Sequence, residues 1–304
     1  VVARAAGLTP RAASTRARLV AEDASAPLSV VAIHYAPAAD PAALPVWRQL
    51  FRALPPRVTV EVAVASTADF ERFLAYMTEA GVGDRDRFHA VVVGHEVTTW
   101  SRDRFAALVS DRGGGVLAPP RVETAFGGRA GDAEAPQAQA RAAFGVDART
   151  ARVVFEGGDL AASARTLFVG AEILRRSLGR GAADKAHVDA ELRRHFDEDI
   201  VWLGDAPGDV PHHHVMMYMV PLDDHTVLVG DPRAGAALAA ADPAGASLAV
   251  DADLEGHARR FDHVAELLAG RGFEVVRMPV VVLAGAGAYL TYTNALFDRE
   301  PATA

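Results

Sequence analysis

The sequence predicts a mixed α/β fold. Three observations carry that reading. Short apolar, β-branched runs recur along the chain, segments with three- and four-residue apolar spacing fall between them, and glycine, proline, serine or aspartate marks most junctions. Leu28 to Ile33 reads as a buried strand. Pro45 to Leu54 places Trp47, Leu50, Phe51 and Leu54 on one helical face. Val58 to Val64 alternates as a strand does, and Thr67 with Asp69 caps a helix carrying Phe70, Phe73, Leu74 and Met77, stopped by Gly81. Phe88 to Val93 is the next strand. Ala118 to Thr150, rich in Ala, Gly, Pro and Arg, predicts a long loop through Gly131 and then a helix over Ala135 to Phe144. Arg152 to Phe155 and Thr166 to Val169 read as strands, followed by helices over Ala171 to Leu178 and Asp184 to Phe196. Ile200 to Leu203, Val215 to Val220 and Thr226 to Val229 are expected strands, and Leu254 to Ala269 a helix closed by Gly270. Phe273 to Met278, Val280 to Leu283 and Tyr289 to Phe297 complete the strands. The cycle of strands, helix and strand repeats about four times, which suits either an open sheet or a propeller of repeated units.

Composition bounds the function. The 304 residues are 50% hydrophobic and 23% charged, enough for a full core. Net charge is -8, with no basic block, which argues against nucleic acid and anionic membrane as partners. The chain contains no cysteine, so disulfides, thiolate metal sites and thiol catalysis are all excluded for these 304 residues. No apolar run reaches the roughly 20 residues needed to span a bilayer, Pro279 to Leu290 being the nearest. Arg4, Arg11, Arg16 and Arg18 lie in a polar segment without an apolar centre, unlike an intact signal peptide. Residues 1–27 are therefore expected to be a loosely ordered lead-in, and residues 28–304 one domain of a soluble protein. The compartment stays open with the cytoplasm favoured, and self-association is equally open.

Three polar segments end or interrupt apolar runs, where a fold can aim side chains into a shared cavity. They are Trp100-Ser101-Arg102-Asp103, Phe155-Glu156-Gly157-Gly158-Asp159 and His212-His213-His214, about fifty residues apart. The first two also have a plain reading: a turn in which Arg102 and Asp103 neutralise each other, and a strand-to-strand turn with a solvated acid. A carboxylate such as Asp103 matches the paired N–H donors of a planar guanidinium. Two glycines after an apolar run signal backbone that turns sharply or is closely approached. His212 and His214 would share a strand face as two metal ligands, but nothing supplies a third at a recognisable spacing, so no metal is expected. His187-Val188-Asp189 lies in a helix whose apolar stripe is Val188, Leu192 and Phe196. That places His187, Glu191, Arg194 and His195 on the solvated side.

In this order and spacing the three segments resemble the guanidine-modifying (pentein) superfamily of agmatine deiminase, arginine deiminase and the peptidylarginine deiminases. Val220 to Pro232 and Tyr289-Leu290-Thr291-Tyr292-Thr293-Asn294-Ala295-Leu296 extend the likeness. The resemblance implies an α/β propeller of strand–helix–strand units with the last unit incomplete. It implies Asp103 and Trp100 at the substrate guanidinium, Glu156 beside the catalytic histidine, and His214 as that histidine, with His213 reached by a one-residue slip. Asp159 and Asn294 follow as further substrate-side candidates. The second guanidinium-binding aspartate of the superfamily falls on Met216, which accepts no guanidinium hydrogen bond of any strength. In the implied mechanism a cysteine thiolate attacks the guanidinium carbon, and in relatives that cysteine lies in a closing segment beyond the point where this sequence stops. The expected protein is thus of a guanidino-group hydrolase lineage (deiminase or amidinohydrolase, with an amidinotransferase-like fold), without a cofactor, taking a small cationic arginine-like or agmatine-like guanidino compound and, as these 304 residues stand, not turning it over. A pseudoenzyme used for binding or interaction is the alternative, and a histidine-metal hydrolase is a third.

Overall fold

The structure is a computed structural model describing residues 2–5, 16–21, 23–24, 27–110, 113–121, 129–285 and 288–299. Residues 122–128 of the expected loop and residues 6–15 of the expected lead-in lie outside the described residues. The chain divides into two compact units, one built mainly from Ala26–Gly157 with residues up to Val20, the other from Gly158–Arg299 with Ala21–Ser25.

In the first unit, β1 (Val2–Ala5), β3 (Leu28–His34), β4 (Thr59–Val64) and β5 (Phe88–Val92) form one sheet in that order. β1 pairs antiparallel with β3, and β3, β4 and β5 run parallel. Helices α1 (Asp40–Ala53) and α2 (Thr67–Glu79) make the crossovers. Their apolar faces bury an aromatic cluster in which Phe73 meets Tyr35, Phe51 and Phe88 with ring centroids 5.4, 6.1 and 5.4 Å away. The second sheet runs β2 (Arg18–Leu19), β6 (Ala106–Ser110), β7 (Gly113–Ala118), β8 (Arg149–Thr150), with α3 (Ala135–Phe144) crossing from β7 to β8. Gly114 lets the Phe144 ring lie on this sheet, since a Cβ there would stand 2.0 Å from the ring.

The second unit repeats the scheme. β9 (Leu160–Ala162) pairs antiparallel with β10 (Thr166–Val169), and α4 (Glu172–Ser177) and α5 (Lys185–His195) carry the chain to β11 (Asp199–Trp202), parallel to β10. β12 (Met219–Pro221) then pairs antiparallel with β13 (Thr226–Asp231). Helices α6 (Pro232–Ala241) and α7 (Leu254–Gly270) lead to β14 (Glu274–Leu283), parallel to β13, and β15 (Ala288–Thr291) closes the sheet. Among the described residues each of the four sheets therefore contains an antiparallel pair followed by a helical crossover to a parallel strand. That is the fourfold cycle visible in the sequence.

Several local expectations are corrected. Arg152 to Phe155 is not a strand: Val153, Val154 and Phe155 are fully buried on irregular backbone after β8 ends. Val215 to Val220 is a short 3-10 helix over Val215–Met217 followed by β12, because His214 and Val215 carbonyls accept from the Met217 and Tyr218 N–H groups. A run buried on every side carries no period to distinguish the two. β14 is one strand instead of two, and the last strand ends at Thr291. Ser66, not Thr67, caps α2, its hydroxyl accepting from the Asp69 N–H. The lead-in contributes β1 and β2 to the sheets, since both expose edge groups that β3 and β6 can pair. Glu191 is buried, not solvated, held near Arg194 and His195. Among the described residues no helix is long and apolar enough to cross a membrane.

Candidate functional site

Within the first unit the structure joins two of the sequence segments. Trp100 to Asp103 forms a turn closed by the Asp103 N–H donating to the Trp100 carbonyl at 3.1 Å. The Asp103 carbonyl in turn accepts from the Gly157 N–H at 3.1 Å, tying the turn to the glycine pair. A Cβ on Gly157 would sit 2.1 Å from the Phe105 carbonyl oxygen and 2.2 Å from that of Arg102. Glycine is required here by close backbone approach, which is how the buried side chains of Asp103 and Glu156 reach one place.

Between them lies a group that the sequence did not single out. The Arg129 guanidinium donates from Nη1 to Asp103 Oδ2 at 2.5 Å and from Nη2 to Glu156 Oε1 at 3.0 Å. Asp132 stands 3.9 Å away and is itself fixed by the Thr98 N–H and hydroxyl, each at 2.7 Å. The Thr98 carbonyl lies 3.1 Å from Nδ1 of His34, whose burial pushes its imidazole down from 6.5 to about 4. Arg104, buried, donates to the Arg129 carbonyl at 2.8 Å and so anchors the backbone that carries the guanidinium. Three carboxylates thus stand within 4 Å of one guanidinium. Beside it opens a cavity of about 620 Å³ lined by His95, Glu96, Thr98, Thr99, Arg129 and Asp132, among others. Trp100 is largely exposed on the turn.

Within the second unit the structure seats His214 on the other glycine. A Cβ on Gly158 would fall 2.1 Å from His214 Cγ, so only glycine admits the imidazole at that distance. His214 also begins the short helix that carries Met216. His213 adopts φ 75°, the left-handed region that few residues other than glycine enter, with its ring 6.0 Å from that of Tyr289. His212 is exposed, 3.8 Å from Glu172. Asp159 is buried, with Arg176 Nη1 at 3.5 Å, and its carbonyl accepts from the Gly170 N–H at 2.8 Å. Burial first, and the Asp159 charge second, raise the Tyr218 phenol far above its ordinary range. Met216 belongs to the apolar core, its carbonyl accepting from the Thr293 hydroxyl at 2.9 Å. Asn294 is exposed, its amide 3.5 Å from the Met217 sulfur.

The first unit therefore brings Asp103 and Glu156 together around Arg129, and the second rests His214 on Gly158 with Asp159 turned to Arg176. Arg129, Asp132, Thr98 and Arg176 were missed by sequence reasoning. The one available signal was the expected loop through Gly131, which contains Arg129.

No protein-family model matches the chain, and no curated protein matches it by sequence. Among solved structures it is similar to C. jejuni agmatine deiminase, with a TM-score of 0.66 at 16% identity, over 93% of this chain and 80% of that one. A substituted form of that agmatine deiminase with substrate bound gives 0.67 at 16% identity and the same coverage. A candidate peptidyl-arginine deiminase gives 0.62 at 12% identity, over 94% of this chain and 84% of the other. At these identities the likeness speaks for architecture, and it agrees with the four repeated sheet units. The chain has the propeller-type α/β fold of the pentein deiminases.

Proposed function

We propose that this protein binds a small guanidino compound on a deiminase-type fold, using Asp103 and Glu156 as the guanidinium acceptors and His214 as the proton-transfer group. The observation that supports this reading most is Arg129: a guanidinium already sits between the Asp103 and Glu156 carboxylates, with a separate nitrogen donating to each. A pair that holds one planar cation through two charge-assisted hydrogen bonds has the chemistry to hold another. The chain link Glu156-Gly157-Gly158 supports reading His214 with the acids, because the glycine that seats His214 is two residues from Glu156. Trp100, His213 and Asn294 enter as secondary contacts, whereas Asp159 is turned to Arg176 and is left out.

In thiolate-dependent deimination a cysteine attacks the guanidinium carbon while histidine protonates the leaving amine and later activates water. These 304 residues hold no cysteine, and Met216 stands where the resemblance implies a second aspartate. Binding without thiolate turnover by these 304 residues is therefore the reading put to the test. Calorimetric titration with agmatine, arginine and methylated arginines, paired with an ammonia-release assay on the same samples, tests the proposal. Saturable binding that Asp103→Asn abolishes, with no ammonia released, is the expected outcome. Absence of binding by the folded protein would refute it, and release of ammonia would overturn the non-catalytic part alone.

A further inference from the structure

Arg129 is part of the chain, yet it occupies the position that the proposed ligand needs. We propose that Arg129 is a built-in competitor: a captive guanidinium that any guanidino ligand must displace from Asp103 and Glu156, and which thereby sets the affinity threshold of the site. This rests on the reading of those two carboxylates as guanidinium acceptors. The two acids come from segments 26 and 27 residues away from Arg129 in sequence, so the contact is made by the fold and not by local helix spacing. Both are more deeply buried than Arg129, whose side chain keeps about one fifth of its exposure, 19%. The cation is thus the member of the trio with access to an exit.

The structure also provides an exit. Arg129 and Asp132 line the cavity of about 620 Å³, and Glu96 contributes to the same wall. Asp132, 3.9 Å from Arg129 Nη1 and held rigid by Thr98, offers a carboxylate to a guanidinium that leaves the pair. Displacement therefore transfers Arg129 from two acids to a third instead of stranding it. The ligand class this selects is narrow. A compact ammonium cannot copy the two-nitrogen contact and so competes poorly, whereas a planar guanidinium replaces it like for like.

The test compares ethylguanidinium with ethylammonium on the full chain, by calorimetry and by the ligand-induced shift in thermal unfolding. Arg129→Gln is expected to bind ethylguanidinium at least about 10-fold more tightly than the wild type, with little response to ethylammonium. Adding Asp103→Asn to that variant should remove the gain. Arg129→Lys, which keeps the charge for folding but not the fork, is expected to fall between the two. If the wild type binds ethylguanidinium as tightly as Arg129→Gln or more tightly, Arg129 is a scaffold of the site and the competitor proposal fails alone. If neither folded protein binds it, the acid pair is not a guanidinium receptor and both proposals fail.

Discussion

Two arginines, one in each compact unit, stand among carboxylates, and they differ in how those acids are supplied. Arg176 stands 3.5 Å from Asp159 and 3.9 Å from Glu172, the latter one helical turn earlier in α4. Arg129 makes shorter contacts, 2.5 and 3.0 Å, to acids from two remote segments, and it borders a cavity. The first arrangement braces a helix against its neighbouring strand connection. In the second the fold, through Gly157, brings remote acids to a shared cation, and the proposed function reads that geometry as a receptor. Buried ion pairs are weak evidence of stability by themselves, so the useful contrast is what happens when each cation is removed.

Arg176→Ala should have the largest effect, about 3–5 kcal/mol of lost stability, because buried Asp159 loses the guanidinium 3.5 Å away, while Glu172 keeps Arg175 at 2.6 Å. Denaturant unfolding with and without ethylguanidinium reads it, and added guanidinium should restore nothing. Rescue there would erase the distinction between the two arginines. Met216→Asp comes next. If unit two lacks a guanidinium acceptor because position 216 is core, the new carboxylate loses roughly 3 kcal/mol of stability. Unchanged stability with tighter guanidino binding would instead show that the position faces ligand.

Unit one also carries its own pH response. His34 is neutral when folded, and its imidazole is lowered to about 4 against 6.5 when unfolded. The unfolded chain therefore binds the extra proton between those values. Stability is intact above pH 6.5 and falls as pH drops toward 4, by roughly 3 kcal/mol at full extent. His34→Gln should flatten that part of a pH-dependent unfolding curve, and an unaltered curve would contradict the assignment. The smallest effect expected is for Gly158→Ala, about 1–3 kcal/mol, as the His214 ring gives way to the new methyl group. NMR of the imidazole resonances should show His214 shifted while the Arg129 cluster is unmoved.

Much of the fold was legible because it rests on local pattern. The alternation of β4, the apolar face of α1 and the span of α3 follow from residue spacing alone. What failed were runs buried on all sides, such as Val153 to Phe155 and Val215 to Val220, where no solvent face imprints a period. Glu191 was misplaced for a related reason: helical geometry puts it off the apolar stripe, while its burial is set by charged neighbours Arg194 and His195. At the site, glycines 157 and 158 announced close approach but not what approaches. Arg129 could not be recognised, since its partners lie 26 and 27 residues away and nothing in the local sequence points to them.

A crystal structure of the protein with agmatine bound bears most directly on the central claim. The account predicts the ligand guanidinium on the Asp103 and Glu156 carboxylates, with the Arg129 side chain moved toward Asp132. Agmatine bound elsewhere while Arg129 keeps both acids would contradict it.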